Sequence, residues 1–164
     1  MSTNSFSLVQ VVGDEEDTFL NDYFGEYQIS LKEELTKNAE LCFENYTGGV
    51  WLYYLANTFD QNKNILHSVP LIVLDHSLDI LLRERTINNS PSKAVYLRSF
   101  VASIALCSMT YDCLSFSGND TFSDLMGRYH HQLQNWIFSE AHHDVLDDDE
   151  VRQLFLFLNH PAQN

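Results

Sequence analysis

The segment from Tyr46 to Asn57, YTGGVWLYYLAN, restricts the folds open to this chain more than any other stretch. A glycine pair, Gly48-Gly49, separates a helix-like stretch from a run carrying Trp51, Tyr53 and Tyr54. Either glycine reaches positive φ without steric cost, which predicts a left-handed cap closing the preceding helix. Val50-Trp51-Leu52-Tyr53-Tyr54-Leu55 has the β-branched and aromatic character of a strand packed on both faces. A helix-to-sheet junction is expected here, and it specifies architecture rather than chemistry.

The flanking sequence extends this junction in both directions. Upstream, Ser30 with Glu33 three positions later forms a capping box and predicts the start of a helix. Leu31, Leu35, Ala39, Cys42 and Tyr46 give that helix a buried stripe, and Glu34, Lys37, Glu40 and Glu44 point away from it. Downstream, Asp60 to Asn64 reads as a polar turn. Ile65 to Leu74 follows as a second strand, with Pro70 marking an edge or a bulge. Residues 78–84 read as a third strand or a short helix, with the strand favoured.

Ser90, with Pro91 at the first helical position, predicts a central, mostly buried helix running to about Phe116. Its length would be about 39 Å. After a break at Ser117-Gly118-Asn119-Asp120, a further helix buries Phe122, Leu125, Met126, Tyr129, Leu133, Trp136 and Ile137 at helical spacing. The last helix is expected from Asp147, with Glu150 completing a capping-box pair and Val151, Leu154, Phe155 and Leu158 facing inward. Pro161 follows its end.

These elements predict an α+β single domain, with several helices packed around a small antiparallel sheet. A length of 164 residues and 45% hydrophobic content suit one such domain with a sizeable core. Residues 1–17 read as a flexible acidic N-terminal segment, and residues 18–164 as the domain proper.

The charge is large and uneven. Nine Lys and Arg against 23 Asp and Glu give a net charge of −14. Residues 1–44 carry −8 of it, residues 45–139 only −1, and residues 140–164 the remaining −5. Such a field repels nucleic acid and favours basic surfaces, so direct nucleic-acid binding is not expected. The acids that stand out as a candidate interaction surface are Asp14, Glu15, Glu16, Asp17, Glu33, Glu40, Glu44, Asp147, Asp148, Asp149 and Glu150. Met1 to Gln10 lacks the pattern of a signal peptide, and no run approaches a membrane span. Cys42, Cys107 and Cys113 form no metal-ligand pairing, and two of them sit in apolar helical surroundings as buried reduced thiols. A cytoplasmic protein without membrane association is expected.

Motifs for catalysis are missing. There is no phosphate-binding glycine loop, no nucleophile elbow and no CxxC pair. His130-His131 and His142-His143-Asp144 cluster in sequence, but adjacent helical side chains point about 100° apart and do not serve one metal. No catalytic residue, metal or cofactor is expected, and the protein reads as a binding protein rather than an enzyme.

Three blocks resemble the ArdB/KlcA family of antirestriction proteins. Phe19-Leu20-Asn21-Asp22-Tyr23-Phe24-Gly25 is similar to the family's FLPxxFG segment, with Asn21 where proline is usual. Tyr46 to Asn57 resembles its YxGGxWxFYxLSN signature at Tyr46, Gly48, Gly49, Trp51, Tyr54 and Asn57. The helix of Ala94 to Phe116, followed by Arg128-Tyr129-His130-His131-Gln132-Leu133 and the step from Ile137 to Glu140, resembles the closing helices more loosely. After the signature the family usually continues Asn-Gly-Gly-Phe-Tyr. Here Asn57 leads into Thr58-Phe59-Asp60-Gln61, so a different turn is expected.

The resemblance implies inhibition of type I restriction-modification enzymes, protecting incoming mobile DNA such as a plasmid. The partner it implies is the type I restriction endonuclease complex or an associated host protein, with the inhibitor a monomer or weak dimer. Two routes are open: a specific protein surface, or acidic DNA mimicry. The near-neutral centre favours the first. The alternatives are a DNA mimic aimed at another defence complex, for example a CRISPR effector, and a small metal-dependent enzyme built on His130, His142 or His143.

Overall fold

The structure, a computed structural model, describes residues 4–84, 94–139 and 143–158. Strand β1 (Ser5–Gln10) leads into helix α1 (Asp14–Phe24), a short 3-10 turn at Gly25–Tyr27, and helix α2 (Gln28–Cys42). Strands β2 (Trp51–Phe59), β3 (Ile65–Leu74), β4 (Ile80–Arg83) and β5 (Ala94–Leu97) follow. Helices α3 (Ser99–Leu114), α4 (Asp120–Phe138) and α5 (Asp148–Leu158) complete the described chain. The α+β expectation holds. One antiparallel sheet has the order β1-β2-β3, and β4 and β5 form a separate antiparallel pair.

The N-terminal residues differ from the expectation of a flexible segment. Ser5 to Gln10 pair in register with Phe59 to Tyr54, and Phe6 is buried against Trp136. The acids Asp14 to Asp17 form the exposed first turn of α1, where carboxylates suit the positive end of the helix dipole. The aromatic anchor behind them is real: Phe19 and Phe24 are buried, and Phe19 stacks on Tyr53 at 4.6 Å.

Helix α2 begins before Ser30 and uses no side-chain cap. The 3-10 turn feeds straight into it, and its Gly25 carbonyl accepts the Gln28 N–H, so the predicted Ser30/Glu33 box has no role. Leu31, Leu35, Ala39 and Cys42 are buried as expected, together with Asn38, whose Nδ2 donates to Thr110 Oγ1 on α3 at 3.1 Å. The glycine pair does not close this helix. Phe43 ends it by turning extended and bridging to Leu82, and the Glu44 N–H donates to the Leu81 carbonyl.

Helix α3 is shorter than predicted, about 24 Å rather than 39 Å. The predicted start at Ser90 and Pro91 lies outside the described residues. Ala94 to Leu97 are strand, because β4 offers them a pairing edge. From Val101 to Tyr111 α3 is almost wholly buried, which its low charge foretold.

Its contact with β3 is unusual in kind. Ser99, Ser103, Cys107 and Tyr111 recur every fourth residue, and each addresses the backbone of the edge strand. Ser99 Oγ donates to the Leu74 carbonyl, and the Leu74 N–H donates to Ser103 Oγ at 3.0 Å. The Ile72 N–H meets Cys107 Sγ at 3.4 Å, the Cys107 thiol returns to the Ile72 carbonyl, and the Tyr111 hydroxyl donates to the Pro70 carbonyl. Side chains of one helix thus stand in for a neighbouring strand. Proline is tolerated at residue 70 because the donor it lacks would face this covered edge.

Helix α4 buries Phe122, Met126, Tyr129, Leu133, Trp136 and Ile137, with Leu125 only half-buried. Helix α5 carries the predicted cap: the Glu150 N–H donates to Asp147 Oδ1 at 2.8 Å, and the Asp147 N–H to Glu150 Oε1 at 3.1 Å. Its inward face is Glu150, Leu154 and Phe157, whereas Phe155 is exposed, contrary to expectation. The cause is Arg98, whose Nε and Nη2 hold the Glu150 carboxylate at 2.5 and 2.6 Å and so fix the rotation of the helix. Among the described residues, no helix is long and apolar enough to cross a membrane.

Candidate interaction surface

The signature residues divide into two groups with different work. Asn57 is buried and ties the sheet across its width. Its Oδ1 accepts from Ser68 Oγ at 2.6 Å, its Nδ2 donates to Ser7 Oγ at 3.4 Å, and its carbonyl accepts the Trp136 indole N–H at 3.1 Å. Trp51 and Tyr54 pair with Leu74 and Leu71 on β3. The departure after Asn57 leaves the strand running to Phe59. The turn of Asp60 to Asn64 then closes on its own backbone and on Asp60 Oδ1, which accepts from the N–H groups of Asn62 and Asn64.

Tyr46, Gly48 and Gly49 belong instead to a loop over the end of the sheet. Both glycines have positive φ, 91° and 150°. At Gly49 a Cβ would stand 2.9 Å from Leu74 Cδ1, so the loop descends onto Leu74 only with glycine there. The Tyr46 ring lies between Phe43 at 6.3 Å and Trp51 at 6.2 Å. The Asp75 N–H donates to the Val50 carbonyl at 2.8 Å and joins this loop to the β3–β4 connection.

Two adjoining clefts open at this junction. One, of about 240 Å³, is lined by Phe43, Glu44, Tyr46, Leu78, Ile80 and Tyr96 among others. The second, of about 390 Å³, includes Tyr54, Arg98, Ser99 and Phe100. Leu74, His76, Leu78 and Asp79 form the wall between them. Leu78 and Tyr96 stand exposed in the first cleft, at 70% and 67% of full exposure, among the polar side chains of Glu44, Asn45, Thr47 and Asp79. Large side chains held out in this way around a concave surface characterise protein-binding sites. His76 folds the wall in place, its Nδ1 lying 3.2 Å from the Leu78 nitrogen and 2.8 Å from its carbonyl oxygen.

Four of the candidate acids have partners of their own. Glu44 pairs with Arg83 at 3.1 Å, and Asp149 with Arg152. Asp147 is committed to the α5 cap, and Glu150, only 9% exposed, is committed to Arg98. Glu150 therefore does not belong to an acidic surface. Asp14 to Asp17, Glu33, Glu40 and Asp148 remain exposed on separate helices.

The histidines have packing partners. His130 Nδ1 lies 3.1 Å from the Ser108 carbonyl and 3.4 Å from Ser108 Oγ, with Asp112 3.7 Å from Nε2. Ser108 is fully buried and accepts from Gln134 Nε2 at 2.9 Å, so no substrate reaches its hydroxyl. The His143 ring stacks on Phe6 at 4.7 Å and meets Trp136 edge-on. His143 Nδ1 accepts from the Val145 and Leu146 N–H groups, so its Nε2 carries the proton toward the Trp136 carbonyl at 3.0 Å. His142 lies outside the described residues. Among the described residues, no three His, Cys, Asp or Glu side chains converge as a metal site.

No family model matches the sequence, and no curated protein matches it. Its backbone does match a solved structure of the KlcA and ArdB proteins, with a TM-score of 0.55. The match covers 80% of this chain and 85% of that one at 20% identity. The fold is that of KlcA and ArdB. Those proteins show antirestriction activity against type I DNA restriction systems in vivo but not in vitro. The KlcA/ArdB likeness in the signature segment is thus accompanied by likeness of the backbone over 80% of the chain. The features that sequence reading missed are the Arg98–Glu150 clamp and the α3 ladder. The four-residue spacing of Ser99, Ser103, Cys107 and Tyr111 in an otherwise apolar helix was the available signal for the second.

Proposed function

We propose that this protein is a non-enzymatic antirestriction protein that relieves type I restriction by binding a protein partner through the clefts around Tyr46, Leu78 and Tyr96. The observation that carries the reading is the KlcA/ArdB fold over 80% of the chain, together with the signature residues that build the loop beside the clefts. An inhibitor that simply occupied the DNA channel of the restriction enzyme would act on the purified enzyme. Activity of the structural relatives in vivo but not in vitro favours a partner present in the cell, either an associated host protein or the enzyme in a cellular state. The pairing of Glu44, Asp149 and Glu150 with arginines also argues against a continuous imitation of the phosphate backbone, which presents one charge per about 1.7 Å.

The test is transfer of unmodified phage or plasmid DNA into strains with and without a type I system, with the protein expressed in each. Protection is expected only in the restricting strain. Leu78→Asp and Tyr96→Ser, both at exposed positions, should abolish it without altering the fold. Neutralising Asp14 to Asp17 should leave protection in place. Equal transfer in both strains would remove the antirestriction reading, and loss of protection on neutralisation alone would restore DNA mimicry.

A further inference from the structure

The two edges of the β1-β2-β3 sheet are treated in opposite ways. The β3 edge is closed by side chains of α3. At the other edge, among the described residues, β1 pairs with β2 alone. The Val11 N–H donates to the Tyr53 carbonyl on β2. Backbone groups alternate sides along a strand, so the odd-numbered residues of β1 face β2 and Phe6, Leu8 and Gln10 direct N–H and C=O outward.

Natural edges are usually blunted by charge, proline or a bulge. Residues 4–12, NSFSLVQVV, have no charged residue and no proline, and Val9 and Val12 are exposed beside the edge. Immediately beyond stand Asp14, Glu15, Glu16 and Asp17, exposed on the first turn of α1. No Lys or Arg precedes Lys32 in the sequence. An uncharged template thus ends in a concentrated negative field.

We propose that β1 is a strand-addition site for an extended segment of a partner protein whose N-terminal flank is basic. Antiparallel pairing supplies the hydrogen bonds to Leu8 and Gln10, since Phe6 is buried, and it sets the basic flank beside Asp14 to Asp17. Alternate apolar side chains of the incoming strand pack beside the exposed Val9. A second copy of this chain fits less well, because its own β1 is flanked by the same acids and the pair would join two chains of −14. The inference rests on the chemistry of the edge and does not depend on the antirestriction reading.

The experiment uses the full chain, isotope-labelled, and a synthetic peptide of sequence KRKTVTVTV, with TVTVTVKRK as the reversed control. Addition of the first peptide should slow hydrogen exchange at the amides of Leu8 and Gln10, and its binding should weaken with added salt. The control should bind more weakly. Gln10→Pro, which removes an outward donor at an exposed position, should reduce affinity about tenfold, the value of one net hydrogen bond. Neutralising Asp14 to Asp17 to the corresponding amides leaves the edge intact and should remove the salt dependence. Three results would overturn the proposal: no binding of the basic peptide, binding without protection of these two amides, or their protection in the peptide-free protein together with a dimeric mass in sedimentation. The last would assign the edge to a second copy.

Discussion

Replacing Ser103 by alanine isolates a single rung of the α3–β3 ladder. Ser103 Oγ accepts the Leu74 N–H at 3.0 Å and donates to the Ser99 carbonyl at 2.8 Å, and the side chain is fully buried. Alanine leaves the Leu74 donor with no partner in a dry interface, at a cost of about 1–3 kcal/mol. The better helix propensity of alanine returns roughly 0.5 kcal/mol. A net loss of about 0.5–2.5 kcal/mol follows, which for a domain of this size lowers the melting temperature by roughly 1–10 °C. Urea unfolding followed by circular dichroism measures the first quantity, and hydrogen exchange at the Leu74 amide localises it. Exchange at Leu74 should accelerate even where global stability changes little. Wild-type stability combined with unchanged exchange at Leu74 would refute the view that α3 acts as a substitute strand.

Other expectations concern different parts of the molecule. Glu150→Gln keeps the cap geometry but leaves Arg98 facing a neutral group, and should cost about 1–3 kcal/mol in urea denaturation. Gly49→Ala meets both positive φ and Leu74, and should cost about 1–3 kcal/mol, whereas Leu78→Ala on the exposed rim should be nearly neutral. In the native protein a thiol reagent should modify Cys113 and spare Cys42 and Cys107, the last pushed up to about 12 by burial; full reaction should appear only on unfolding. Burial likewise raises Tyr129 to about 12 from an ordinary value near 10. The folded state then holds its proton where the unfolded state loses it, so this contribution to stability is complete below pH 10 and is lost as pH rises toward 12. Denaturant midpoints measured across that window should fall with pH, and Tyr129→Phe should flatten the decline.

The sequence was most legible where local chemistry alone decided the outcome. Asp60 to Asn64 marked the hairpin turn, Ile65 to Leu74 marked β3 to the residue, and the Asp147/Glu150 cap formed as its spacing required. The failures share a tertiary cause. Ala94 to Leu97 is apolar enough for either helix or strand, and pairing with β4 decides it. Phe155 and Phe157 both fit a helical stripe, and the Arg98 clamp on Glu150 selects the second. Gly48 and Gly49 both take positive φ yet do not cap α2, because Phe43 ends that helix by pairing with Leu82. As for the candidate surface, its signature residues were legible, while the clefts were not. These depend on Leu78 and Tyr96, which meet only through the fold.

The α3 ladder also bears on how such a scaffold tolerates insertions and deletions. From Ser103 to Tyr111 the helix advances about 12 Å, while β3 from Leu74 to Pro70 spans about 13 Å. The long reach of tyrosine at the last rung makes up the difference. A one-residue deletion within either segment would rotate or invert every later rung and open the sheet edge at once. The described residues between Leu74 and Ser99, by contrast, contribute no rung. This stretch includes β4, β5, Leu78 and Tyr96, so lengthening or remodelling it changes the clefts while the sheet stays closed. Divergence in target recognition can accumulate at its exposed positions, Leu78 and Tyr96 among them, while Ile80, Leu82 and Leu97 stay with the core.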